Sequence, residues 1–325
     1  MSSTIDTPAP LTQGRPGTAR AVPLLIAGHG TRSHQGVEQF DAFVARVRRR
    51  LAADGVEVAG GFIELAPPPL TDAVGGLVAA GHRRLAVVPL VLVAAGHGKG
   101  DIPAAMVRET IRHPGLGYVY GRPLWPHHAL LTALEERIDA ATDTGLSRWS
   151  RADVTVVLVG RGSTDPDANA EVAKAARLLW EGRGFAGVET SFISLAEPSV
   201  PQVLERARRL GARRIVVAPY FLFAGVLPDR IIEQSRAWAA AQPEVEVRVA
   251  GLLGDAPSLV DVVLERYAEA LGGDIRMNCD TCLYRVALPG VEERVGAPQR
   301  PHDHPHDPTD PHAHAHGHGH GHAHD

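Results

Sequence analysis

The sequence predicts an α/β protein of two similar lobes, each a parallel sheet of about four strands flanked by helices. Three observations predict it. The chain repeats itself: GHRRLAVVPLVL at 81–92 matches GARRIVVAPYFL at 211–222, and FIELAPPPL at 62–70 matches FISLAEPSV at 192–200, both 130 positions later. Within each copy, short apolar runs alternate with stretches of helical periodicity, strand then helix, four times over. The apolar runs lack the polar alternation of a half-exposed strand, which points to parallel sheets covered on both faces.

Each element follows from its own signal. Residues 1–20, rich in Pro, Thr and Gly, have little to bury and are expected to be disordered. The N-terminal lobe is expected over 21–145. It opens with the apolar run Leu24 to Ala27, after which Val37, Phe40, Val44, Val47 and Leu51 recur at spacings of three and four, one stripe on a helix. VEVAGGFIEL (56–65) reads as the second strand region and PLTDAVGGLVAAG (69–81) as a helix closed by Gly81, a residue type favoured just past a helix end. LAVVPLVLV (85–93) is the third strand. Gly121 and the helical ALLTALEERI (129–138) reappear as Gly251 and SLVDVVLERY (258–267), and LLIAGHGTR (24–32) falls on VVLVGRGST 132 positions on. A polar linker, TDTGLSRWSRAD (142–153), separates the copies, and the C-terminal lobe is expected over 152–273. An extension, 274–300, carries Cys279 and Cys282, and a His-rich tail occupies 301–325.

Composition narrows the function. With 33 basic and 37 acidic residues the net charge is −4, too balanced for non-specific nucleic-acid binding. No apolar run reaches the ~18–20 residues of a membrane span, and the N-terminus lacks the apolar centre of a secretory signal, so a cytoplasmic address is expected. Two cysteines three apart form no disulfide framework; a reducing compartment and a metal or redox role fit them. Ten of the 17 histidines lie in the last 24 positions. That tail is too polar to fold alone, and its neutral imidazoles suit Co²⁺, Ni²⁺, Cu²⁺ and Zn²⁺, so metal storage or delivery is the expectation.

The chemistry is expected at His29 and His97. Each follows an apolar strand and lies between glycines, and ligands of open α/β sheets gather at the carboxyl ends of strands. Glycine neighbours would let a planar ligand approach the backbone. The duplication acts as an internal control: His29 becomes Arg161, the segment around His97 becomes FLFAGVLPDRI, and Glu64 becomes Ser194. The scaffold therefore requires none of the three. Two imidazoles and a carboxylate suit Co²⁺, Ni²⁺, Fe²⁺ or Zn²⁺ rather than Ca²⁺ or Mg²⁺. Taken alone, Glu64 also reads as one half of a salt bridge at a strand end. His82 reads as an exposed residue in a helix-to-strand turn, and His127 and His128 as the start of a helix.

On AGHGTR (27–32), FIELAPPPL (62–70) and VVPLVLVAAGHGKGDIP (87–103), the chain resembles the class II chelatases. These insert a divalent metal into sirohydrochlorin; they comprise the CbiX-type cobalt chelatases and their iron-inserting relatives. The resemblance covers roughly residues 22–270. It implies two chelatase-like lobes facing across a cleft, with His29, His97 and Glu64 holding Co²⁺ or Fe²⁺ as substrate and assisting removal of the pyrrole protons. With Arg161 in place of a histidine, one active site per chain is implied. Arg161 then either binds a substrate carboxylate or faces solvent. Arg32, Lys99 and the Arg83–Arg84 pair are further candidates to meet the carboxylates of the substrate. MNCDTCLYR (277–285) is similar to a segment of the long CbiX-type members and implies an iron–sulfur centre at Cys279 and Cys282; zinc or no cofactor are the alternatives. Two thiolates per chain are half a cluster's usual set, so the chain is expected as a monomer of two lobes, or as a homodimer if a cluster is shared. The competing reading is a non-catalytic metal-binding or delivery protein built around the tail.

Overall fold

The computed structural model describes residues 20–124, 126–145, 147–273, 284 and 292–297. Two four-stranded parallel sheets run in the orders β2-β1-β3-β4 and β6-β5-β7-β8. The first contains β1 (Leu24–Gly28), β2 (Val58–Phe62), β3 (Arg84–Pro89) and β4 (Gly117–Tyr120); the second contains β5 (Val154–Gly160), β6 (Gly187–Phe192), β7 (Arg214–Pro219) and β8 (Glu246–Val249). Identical strand order makes the repeat in sequence a repeat in structure.

The uninterrupted apolar runs are explained by burial on both faces. In β1, Leu24 and Ile26 face one core while Leu25 and Ala27 face another; in β3, Ala86 and Val88 divide from Leu85 and Val87 in the same way. Fully burying one such aliphatic side chain contributes about 1.5–3 kcal/mol. The helices are α1 (His34–Leu51), α2 (Leu70–Ala79), α3 (Ile102–Arg112), α4 (His128–Thr142), α5 (Pro166–Trp180), α6 (Val200–Arg209), α7 (Val226–Ala241) and α8 (Pro257–Gly272). Helix α1 starts where the Ser33 side chain accepts the Gly36 N–H at 3.2 Å and ends on Arg48, Arg49 and Arg50, cations placed at the negative end of the helix dipole. Its predicted stripe is buried at Phe40, Val44, Val47 and Leu51 and joined by Phe43, whereas Val37 is only half-buried.

The last helix of each repeat changes places. Helix α8 packs on β3, β4 and α1, whereas α4 packs on β7, β8 and α5. The exchange is pinned by Arg266, 1% exposed, whose guanidinium donates to the carbonyls of Pro123 and Leu124 at 3.2 Å each and to Glu269. Glu269 also accepts from Arg122 at 2.6 and 2.8 Å. One hydrophobic core therefore runs through both halves, from Leu24 and Phe40 to Val216 and Leu259. The segment between the repeats is polar in composition yet anchored, because Trp149 is buried beneath the Arg248 guanidinium, 3.7 Å from the ring centre. His82, expected in solvent, is buried and bonded through Nε2 to Glu57 at 2.8 Å, because the turn ties its backbone N–H back to Leu77 O at 3.1 Å. Among the described residues no helix is long and apolar enough to cross a membrane.

Candidate active site

The ladder between β1 and β2 continues one residue past β1 and two past β2, and this builds the site. Ile63 N–H donates to Gly28 O at 3.0 Å and Glu64 N–H to His29 O at 3.1 Å. Neighbouring strands lie about 4.8 Å apart, so the bonds set the side chains of His29 and Glu64 next to each other at the carboxyl end of the sheet. Between them Gly30 adopts φ +117°, and a Cβ there would stand 1.8 Å from the Glu64 carbonyl oxygen. Gly162, its counterpart in the second lobe, shows the same conflict with Ser194 O at 1.7 Å. Glycine after the strand is thus demanded by the backbone in both lobes. At position 30 the backbone alone therefore accounts for the glycine, which also lines the cleft.

His29 Nε2 lies 3.0 Å from Glu64 Oε1, and its Nδ1 lies 3.2 Å from Gly30 O. Both ring nitrogens thus face oxygen acceptors, an arrangement satisfied when the ring carries two protons or when a cation stands at Nε2 in place of one. The His97 ring meets His29 edge-on, with centroids 3.8 Å apart and planes at 74°. The three residues singled out from the sequence are therefore in one cluster. Among the described residues no three His, Cys, Asp or Glu side chains form a ready metal cage; the cluster is a hydrogen-bonded and stacked group.

His97 begins a π-helical turn, His97–Asp101, that leads into α3. Such turns are rare and concentrate at functional sites. The turn brings buried Asp101 under the ring, where Nδ1–H donates to Oδ2 at 2.7 Å and the neutral ring keeps its lone pair on Nε2. Burial lowers the His97 pKa below the ordinary imidazole value; Asp101 opposes the shift, and the charges of His29 and Arg161 add to it. Tyr120 braces the turn by donating its hydroxyl to Gly98 O at 2.9 Å. Asp101 and Tyr120 were not singled out from the sequence. The signal available for Asp101 was its i,i+4 spacing from His97, masked by Gly98 and Gly100, which read as loop.

Two members of the cluster, His29 and His97, line a cleft of about 440 Å³ between the two lobes. Gly28 to Arg32, Leu90 to Val93 and His97 line one side; Gly160 to Ser163, the Tyr220–Gly225 loop and the first turn of α7 line the other. Arg161 enters from the second lobe. Arg161 is exposed, as Arg32 is, yet its partly desolvated guanidinium has its pKa pulled down while the Glu64 carboxylate opposes the shift, so it stands within electrostatic reach of the cluster. Arg32 lines the cleft and is exposed.

Other candidates are placed elsewhere. The Lys99 ammonium is bonded to Asp165 at 2.7 Å and Asp167 at 2.9 Å, both in the second lobe, so its charge is committed to protein carboxylates rather than to a substrate. Burial works against that ammonium, the two bonds outweigh it, and its pKa is raised. Arg83 donates to the carbonyls of Val78 and His82, and exposed Arg84 opens β3, at the end of the sheet opposite the cleft. His127 caps α4 and bonds Glu265 at 3.1 Å. Cys279, Cys282 and the histidine tail lie outside the described residues.

Comparison with known proteins agrees with the duplicated fold. The family model described as CbiX matches twice, over residues 23–141 and 155–270. A sirohydrochlorin cobaltochelatase of Priestia megaterium is 35% identical over 265 residues, spanning 82% of this chain and 85% of the relative. A sirohydrochlorin ferrochelatase of the same organism is 34% identical, spanning 65% and 77%. Among solved structures, SirB from Bacillus subtilis with Fe³⁺ superposes with a TM-score of 0.67 at 28% identity, covering 78% of this chain and 96% of that one. With the family's pattern present in each repeat and its fold in each lobe, the chain belongs to the CbiX family.

Proposed function

We propose that the chain is a sirohydrochlorin chelatase, a metal-inserting lyase that places Co²⁺ by preference, and Fe²⁺ next, into sirohydrochlorin for cobalamin or sirohaem synthesis in the cytoplasm. The observation that carries the reading is the contact group His29–Glu64–His97 at the mouth of an interlobe cleft, in the half of the duplication that keeps all three. Insertion requires the macrocycle to lose two N–H protons while the ion exchanges water for ring nitrogens. His97, neutral and with its lone pair on Nε2, is suited to hold a borderline ion or to accept a proton. His29 is suited to pass a proton to Glu64 along the 3.0 Å contact. A small set of weak donors lets the ion leave, where a closed four-ligand cage would retain it. Arg161 and Arg32, whose guanidinium groups can bind a carboxylate through two parallel bonds, are assigned to the substrate's carboxylates, with Arg161 the stronger candidate because it stands within electrostatic reach of Glu64.

The test is anaerobic insertion followed by absorbance, with Co²⁺ and Fe²⁺ in parallel. His29→Ala/His97→Ala is expected to lower the catalysed rate by about 10²–10⁴, the usual worth of general acid–base groups. Arg161→Ala is expected to act chiefly on the KM for sirohydrochlorin. A wild-type rate no higher than that of the protein-free mixture would sink the proposal and leave the metal-delivery reading as the better one.

A further inference from the structure

We propose that Lys99, clamped between Asp165 and Asp167 across the cleft, is a positioning residue that holds His97 against His29 and Glu64, so that the group is complete only when the lobes are closed. This rests on the chelatase reading. The turn His97–Asp101 contains two glycines, which leave its backbone pliable, and three side-chain contacts help to fix it. Two lie within the first lobe: His97 Nδ1 to Asp101, and Gly98 O to Tyr120. The third crosses to the first turn of α5, where Lys99 Nζ meets two carboxylates at 2.7 and 2.9 Å. The side chains of Lys99, Asp165 and Asp167 are only 7%, 7% and 3% exposed, so little solvent screens the triad, and loss of one partner strands buried charge.

The duplication again serves as a control. By the offsets of the repeat, Lys99 corresponds to Asp229, and Asp165 and Asp167 correspond to Ser33 and Gln35. The related crossing, from the Tyr220–Gly225 loop to α1, uses a neutral bond from Ala224 N–H to Gln39 Oε1 at 2.8 Å. Closing the lobes thus does not demand a lysine–aspartate triad on that side. The charged version stands beside the half that kept its histidines. Tyr284, in the extension, lies half-buried within electrostatic range of Lys99, Asp165 and Asp101, which places a described part of that segment at the same seam.

The experiment is steady-state insertion by the full chain, with metal-free sirohydrochlorin binding and thermal midpoint measured alongside. Lys99→Met is expected to lower kcat by about 10- to 100-fold, the penalty for displacing a group at the reacting centre by a fraction of an ångström to an ångström. KM and metal-free binding should change far less. Asp165→Asn/Asp167→Asn should match it: asparagine caps a helix as well as aspartate, so α5 keeps its start while the charges go. Combined with Lys99→Met it should add nothing further, and Lys99→Arg should recover most of the turnover. An unchanged kcat in both variants overturns the inference. So does a parallel fall of kcat, binding and thermal midpoint that Lys99→Arg does not rescue, because that describes a structural role alone. A wild type without insertion activity is a separate result: it overturns the chelatase reading and the positioning role of Lys99 with it.

Discussion

At His97 the decisive neighbour is Asp101. A buried carboxylate on Nδ1–H fixes both the tautomer and the direction of Nε2, the atom to which the proposed function assigns the metal or the proton. Asp101→Asn keeps the shape but weakens the acceptor, and insertion is expected to fall about 10- to 100-fold, as for other partners behind a functional histidine. The sign of the pH effect follows from the balance at the ring. Burial lowers the His97 pKa and Asp101 opposes it, so loss of that charge moves the acidic limb of kcat/KM to lower pH. A limb that moves upward, with turnover unchanged, would contradict this account. His29, His97 and Glu64 were legible in the sequence because the second repeat shows the same scaffold without them. Asp101 was not, because a glycine-rich stretch hides helical spacing. Lys99 was legible as a cation and misplaced in role, since sequence does not reveal that Asp165 and Asp167 of the other repeat reach it.

Among the elements, α4 and α8 carry the largest departure from a reading by repeats. Periodicity identified both helices and their apolar stripes, but a stripe says only that something covers it, and the nearest sheet in sequence is not the one that does. The exchange depends on Arg266, enclosed by the Pro123 and Leu124 carbonyls of one repeat and Glu269 of its own helix. Arg266→Met would leave two carbonyls without that donor and weaken the tie between Glu269 and the Pro123 segment, although Arg122 still pairs with Glu269. A loss of about 3 kcal/mol in urea unfolding is expected, in the range for breaking a buried charged pair. A loss below about 1 kcal/mol would place the guanidinium among surface ion pairs in effect, despite its burial.

For the whole molecule, the exchanged helices make each half an incomplete folding unit. Residues 20–145 alone would expose the face of β3 and β4 that α8 covers, and would carry α4 with no second sheet beneath it. The two helices are related by the duplication, ALLTALEERI in one and SLVDVVLERY in the other, so α4 from a second copy has the length and the stripe to replace α8. The half-chain is therefore expected as a homodimer that exchanges α4, with a His29–Glu64–His97 group on each subunit. Light scattering on the eluting species would show it, and helix content by circular dichroism would separate a folded dimer from an aggregate. Adding residues 147–273 should convert it into a one-to-one complex, because only that partner supplies Asp165 and Asp167 to Lys99. A stable, fully folded monomer of 20–145 would show that the exchange is a convenience of packing, and that each half folds without the core shared from Phe40 to Leu259.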